Sequence, residues 1–283
     1  MEKKEKINSL QQKANNIRKQ TLDMCVSAGT GHVTSCFSCA ELITTLYNGD
    51  ILRYDAKNPK WEDRDRFILS KGQASPILYT VLGDREFFPK EWCNDFCKKD
   101  GKFGVHLQCD VPGVEYTLGS LGHGLGIGAG VALAAKYNQK DYHTFVLLGD
   151  AECYEGSVWE AAMFASHYNL NNLTAIIDRN GYGVLGPTED VVKLNELDKK
   201  FESFGWETKK IDGHSVKEIY DALSGFRSHK KDSPTLIVAE TVKGKGIKFM
   251  ENVALWHGVA PIGDNAKRAK KELTDYTVGG EYE

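Results

Sequence analysis

Residues 143–182 read HTFVLLGDAECYEGSVWEAAMFASHYNLNNLTAIIDRNGY. Phe145 to Leu148 and Leu173 to Ile177 are short, continuously apolar runs with β-branched members, as strands covered on both faces require. Between them Val158, Ala161, Ala162, Ala165 and Tyr168 recur at helical spacing, so the unit reads strand, helix, strand. Such a crossover returns the second strand parallel to the first, and both end on the sheet edge where ligands of open α/β folds sit. Asp150 and Asn180 therefore stand at neighbouring strand ends. Their oxygens are hard ligands that suit Mg²⁺ or Ca²⁺ better than zinc. The region from Ala151 to Gly156 is expected to open a helix whose free N–H groups receive a phosphate. The stretch thus predicts a metal-bridged diphosphate site.

The flanking sequence extends the alternation. Helices are expected at about Leu10 to Ser27, Cys39 to Tyr47, from Ser75, and near Val216 to Phe226. Strands are expected at Arg66 to Ser70, Trp206 to Ile211 and Thr235 to Glu240. An irregular region runs through Asp110, and a Gly-rich segment then leads into a helix ending at Tyr137. This pattern predicts an α/β fold, a mostly parallel sheet with helices on both faces. A chain of 283 residues suffices for one large core. No repeat, low-complexity stretch or Pro- or Ser-rich linker divides it. The expected organisation is one domain over residues 1–260 and a C-terminal extension over 261–283, loose or engaged with a partner.

Composition narrows the class. A net charge of −3 with scattered basic residues gives no nucleic-acid footprint, and AKRAKKEL (266–273) reads as a solvated helix face. The polar start MEKKEKINSLQQ lacks the apolar core of a signal peptide, and no apolar run approaches membrane-spanning length, so no membrane association is expected. Seven cysteines, an odd number, argue for reduced thiols and a cytoplasmic location. Cys36 with Cys39, and Cys93 with Cys97, lack a second pair at zinc spacing. GSLGHGLGIGAG (119–130) never gives G-x-G-x-x-G, so a dinucleotide site is not expected, and Gly126, Gly128 and Gly130 read as close helix packing. Lys243-Gly-Lys-Gly246 lacks the Ser or Thr of a P-loop and reads as a ligand-side loop after a strand.

Residues 149–182 resemble the thiamine diphosphate signature, Gly-Asp-Gly followed at a set distance by Asn. SAGTGHVTS (27–35), DRDRFILSKGQAS (63–75), PGVEYTLGSLGHGLGIGAG (112–130) and TVKGKGIKFMEN with WHG (241–258) resemble transketolase segments in the same order, over nearly the whole chain. The resemblance implies the thiamine diphosphate-binding fold and the transfer of a two-carbon ketol unit from a ketose or its phosphate to an aldose or its phosphate. It covers only the family's N-terminal, diphosphate-binding half. The other half carries the glutamate that bonds the cofactor's aminopyrimidine ring and the residues that bind the sugar phosphate. A separately encoded C-terminal subunit is therefore implied, in a heterotetramer with two copies of each.

By the same resemblance Asp150, Asn180 and the Tyr182 carbonyl hold the metal. Gln73, Gly119, Ser120, Leu121, Gly149, Asp150, Ala151, Glu152, Asn180 and His257 contact the cofactor. His32, His106 and His257 line the substrate channel as catalytic residues, where an imidazole suits proton transfer near neutral pH. His143, His167, His214 and His229 lack that context and read as structural or exposed. Glu155 and Glu160 match family glutamates near the interface between active sites.

Three positions depart from the family. Gln73 replaces a histidine, keeping a hydrogen bond but not a titratable proton. Ala151 stands for the second glycine of the signature, and keeps its N–H for phosphate if its φ is negative. His123 replaces the usual glutamine. These changes favour, as an alternative, a transketolase-like subunit of a dedicated pathway transferring a ketol or acyl unit to a modified sugar. A non-catalytic assembly subunit is the third reading, and retention of Asp150, Asn180 and His257 argues against it.

Overall fold

The computed structural model describes residues 3–228 and 232–276. The chain opens with α1 (Lys3–Ala28), α2 (Val33–Phe37) and α3 (Ala40–Asn48), then β1 (Arg66–Leu69), α4 (Ser75–Asp84) and α5 (Gly124–Tyr137). There follow β2 (Thr144–Gly149), α6 (Gly156–His167), β3 (Leu173–Arg179), α7 (Thr188–Val191), α8 (Leu197–Ser203) and β4 (Glu207–Asp212). α9 (Val216–Leu223), β5 (Thr235–Glu240) and α10 (Gly263–Asp275) complete the described order. The strands form one sheet in the order β1-β2-β3-β5-β4, and each pairing is parallel.

Burial explains which strands are plain in sequence. Successive strand residues point to opposite faces, and β2 and β3 are buried at nearly every position, so both faces of the sheet centre are covered. The edge strand β4 exposes Lys209 and Lys210, charges that discourage pairing with another sheet. Register sets Gly149 beside Asp178. Asp150 and Asn180 accordingly leave the sheet at one edge.

Several boundaries move for physical reasons. α1 starts at Lys3 rather than near Leu10, because Ile7 continues the buried stripe and packs with Leu10 against Val216 of α9. Residues 263–275 of the expected extension form α10, which buries Ala266, Ala269 and Leu273, so this segment packs down rather than hanging loose. His229 and residues 277–283 of that extension lie outside the described residues. Of the glycines read as packing devices, Gly128 fits, since a Cβ there would strike Val146. Gly126 would make only an ordinary contact and Gly130 faces open space, so packing does not require them. All seven cysteines are free thiols, and among the described residues no helix is long and apolar enough to cross a membrane.

Candidate active site

A cavity of about 240 Å³ lies where β2 and β3 end. Of the residues singled out from sequence, Gln73, Leu121, Gly149, Asp150, Ala151, Glu152, Asn180, Tyr182 and His257 line it. Gly119 and Ser120 line a neighbouring open hollow together with His123. His32 and His106 stand behind His257 as a file of rings, with centroids 5.6 Å apart for His32 and His257 and 6.4 Å apart for His32 and His106. Glu155 reaches the cavity wall, and Glu160 is exposed on α6.

Asp150 is the organising group. Its Oδ1 accepts from the Ala151 N–H at 2.8 Å and its Oδ2 from the Gly181 N–H at 2.7 Å, so one carboxylate ties the end of β2 to the turn after β3. Arg179 donates to Oδ2 at 3.3 Å. Burial and then the nearby Asp178 push the Asp150 carboxyl above the usual range, against these three contacts. Asn180 Oδ1 accepts from the Tyr182 N–H at 3.1 Å. The set of donors comprises one carboxylate, one carboxamide oxygen and one carbonyl, all hard oxygens that fit Mg²⁺ or Ca²⁺. Among the described residues no group of three or more His, Cys, Asp or Glu gathers as an alternative metal site.

The phosphate-binding helix start expected after Asp150 takes another form. Ala151–Tyr154 is a short 3₁₀ turn, α6 begins only at Gly156, and the Ala151 N–H is already held by Asp150. Ala151 has no positive φ, so the alanine costs the backbone nothing. Glu152 turns its carboxylate inward. It accepts from the Gly122 N–H at 2.8 Å, from the Gly149 N–H at 3.0 Å and from the Ser70 hydroxyl, binding the 119–122 turn to the end of β2. Gly122 has φ of +86°, and a Cβ there would meet Glu155 and Ser157, so glycine alone fits that turn.

Two buried lysines, one of them in the 243–246 loop that reads as ligand-side, dominate the site's electrostatics. Lys71, next to the Gly72-Gln73 pair that drew attention, is 1% exposed and pairs with Asp178, itself fully buried. Asp178 also accepts from Ser38 at 2.6 Å and from Thr241. Burial works against the charge of Lys71, but Asp178 outweighs it and holds the ammonium above the ordinary lysine range. The same pair, against burial, holds Asp178 low. Lys243, also 1% exposed and in the cavity wall, has no ion pair among the described residues. Its Nζ reaches only the Ser35 hydroxyl and the Tyr182 carbonyl, each at 3.4 Å. Burial and the repulsion of Lys71 lower it to about 8. A cation in this state is completed by an incoming anion.

The histidines share that field. Burial, then His106, Lys243 and Lys71, lower His32 to about 4. Burial, then Lys243, His32 and Lys71, lower His257 to about 4, with a hydrogen bond to Gly183 working the other way. Both are neutral at pH 7, and His32 Nδ1, His257 Nδ1 and Gln73 Oε1 are buried without a hydrogen-bond partner. Unpaired polar atoms around a cavity mark where a polar ligand is missing. The only advance signal for Lys71 and Lys243 was their place inside Gly-bearing loops that follow strands.

Known proteins share this arrangement of segments. Residues 9–277 match the family model described as transketolase, thiamine diphosphate binding domain. One subunit of the apulose-4-phosphate transketolase of Phocaeicola vulgatus is 36% identical over 271 residues, which are 95% of each protein. Human transketolase is 39% identical over 255 residues, 90% of this chain but 40% of that protein. The crystal structure of transketolase from Campylobacter jejuni matches with a TM-score of 0.88 and 31% identity, covering 95% of this chain and 43% of the other. The chain thus spans nearly all of a subunit-type relative and about two fifths of the longer ones.

Proposed function

The chain belongs to the transketolase family, by its thiamine diphosphate-binding domain, and from that premise we propose that it is the diphosphate-binding subunit of a two-chain transketolase. With a separately encoded C-terminal subunit, two copies of each in a heterotetramer, it transfers a two-carbon ketol unit from a ketose phosphate to an aldose phosphate. The observation that carries the reading is the cavity at the ends of β2 and β3, where three hard oxygen donors face a buried lysine without a counter-ion.

Bound thiamine diphosphate supplies the electron sink for ketol transfer. Asp150, Asn180 and the Tyr182 carbonyl would hold Mg²⁺ or Ca²⁺, which would supply charge neutralisation for a diphosphate. Lys243, His257 and Gln73 would hold the diphosphate itself, and Gly119, Ser120 and Leu121 would border the cofactor beyond it. His32, His106 and His257 orient the donor sugar. With His32 and His257 lowered to about 4, each is a neutral ring at neutral pH, with a nitrogen free to accept a hydrogen bond from a hydroxyl of the donor. Val184 and Leu185 in the cavity wall are 65% and 80% exposed, an apolar rim that supports closure by a partner. The free thiols support a cytoplasmic setting.

A second reading narrows the substrate to a sugar phosphate of a dedicated pathway. The P. vulgatus relative, named for apulose 4-phosphate and matched along 95% of its length, favours it. Turnover with the partner subunit separates the two: xylulose 5-phosphate with ribose 5-phosphate as substrates serves the first, apulose 4-phosphate the second. Calorimetric titration with thiamine diphosphate and Mg²⁺ tests the site. Asp150→Ala abolishes metal-dependent binding, and full binding by that variant refutes the assignment.

A further inference from the structure

His214, at the turn between β4 and α9, lies outside the cavity yet is joined to it through the backbone. Its Nε2 receives the Val242 N–H at 2.9 Å. That bond requires an unprotonated Nε2, so the ring proton sits on Nδ1, which donates to Glu41 Oε2 at 3.1 Å. Glu41 and Arg18 are both 0% exposed and joined through both carboxylate oxygens, with Arg18 Nη1 to Oε1 at 2.5 Å. Arg18 also donates to the Phe37 carbonyl at 2.9 Å. The imidazole thus has one fixed tautomer and one fixed orientation, set from behind by a buried ion pair.

Val242 is the residue before Lys243. Lys243 has a long, flexible stem and no ion pair to direct it, so the path of its backbone decides where its ammonium goes. That backbone is fastened by the Thr241 N–H on the Arg179 carbonyl at 3.1 Å and the Thr241 hydroxyl on Asp178, by Val242 on His214, by the Asn252 N–H on the Lys243 carbonyl at 2.9 Å, and by the Gly244 N–H on the Thr34 carbonyl at 3.0 Å. Among these, His214 is the side chain that receives a backbone N–H beside the lysine.

We propose that His214 is a positioning residue for cofactor binding: with Glu41 and Arg18 behind it, it sets the 241–244 backbone so that Lys243 meets the diphosphate. The proposal rests on the reading that Lys243 binds the diphosphate. The test is calorimetric titration of the full chain with thiamine diphosphate and Mg²⁺. His214→Leu weakens affinity about 10- to 100-fold, the range for groups that orient a ligand's contact residue. His214→Gln, which restores an acceptor to Val242, recovers most of it. In the double variant His214→Leu with Lys243→Met, affinity is no lower than in Lys243→Met alone, because the histidine acts through the lysine. If His214→Leu does not fold, His214→Asn, too short to reach Val242, takes its place. Wild-type affinity in His214→Leu or His214→Asn, or full additivity in the double variant, overturns the proposal. Unchanged affinity in Lys243→Met instead overturns the diphosphate reading on which it rests.

Discussion

Arg18 and Glu41, sealed between α1 and α3, satisfy each other's charge, whereas at the C-terminal edge of the sheet Lys71 claims Asp178, Arg179 claims Asp150, and Lys243 has no ion pair among the described residues. Both clusters are buried as deeply as the apolar core. The first closes its charge within the pair and hands one further carboxylate contact to His214. The second has its carboxylates claimed by Lys71 and Arg179, so the remaining ammonium is held at a cost that binding an anion relieves. Burial of charge alone does not mark a site; burial of charge without its complement, beside a cavity, does.

The contrast makes opposed predictions. The largest effect is expected from opening a closed pair. Arg18→Met leaves Glu41 buried and uncompensated, and Lys71→Met does the same to Asp178, each costing about 3–5 kcal/mol in urea unfolding. Lys243→Met removes a buried cation that has no ion pair among the described residues, so unfolding stability without cofactor stays level or rises, while affinity for thiamine diphosphate with Mg²⁺ falls at least tenfold, about 1.4 kcal/mol. A stability loss in Lys243→Met as large as in Lys71→Met would erase the distinction between the clusters.

Acid probes the same division with a smaller effect. His32 and His257 fall to about 4 from 6.5, so the unfolded chain takes up protons first, and stability declines as pH falls from about 6.5 to about 4. His32→Asn flattens that limb of a pH series of urea midpoints. Glu41 is held at about 2 by Arg18 and His214, against burial, so its contribution is present above 4.5 and lost as pH falls from there towards 2. The open site yields to acid before the closed pair does. Coincident losses over one window would contradict this ordering.

The site was half legible in sequence. Asp150 and Asn180 were found because strand ends are local features, fixed by two apolar runs and a crossover of known hand. Glu152 lines the cavity, but the inward direction of its carboxylate is not legible in sequence, since that depends on Gly122, Ser70 and Gly149 converging on it. The loop of Lys243 reads as ligand-side, but its unpaired ammonium does not, and Lys71, Arg179 and Asp178 carry no signal of their own, because a charged residue in isolation is most often solvated. His214, which reads as structural or exposed, is half-buried outside the cavity, and its contacts to Glu41 and Val242 join segments far apart in sequence.

The strand-helix-strand unit, the parallel sheet around it and the kinship of the ordered motifs are written in neighbouring residues, each with a period or a spacing. Which buried charges pair with one another is not. Lys71 and Asp178 are 107 positions apart, and their pairing exists only once β1 and β3 lie in one sheet. The reason is physical: a helix or strand is set by local backbone preference and burial, but the state of a charge is set by what surrounds it in space, at distances the order of residues does not encode.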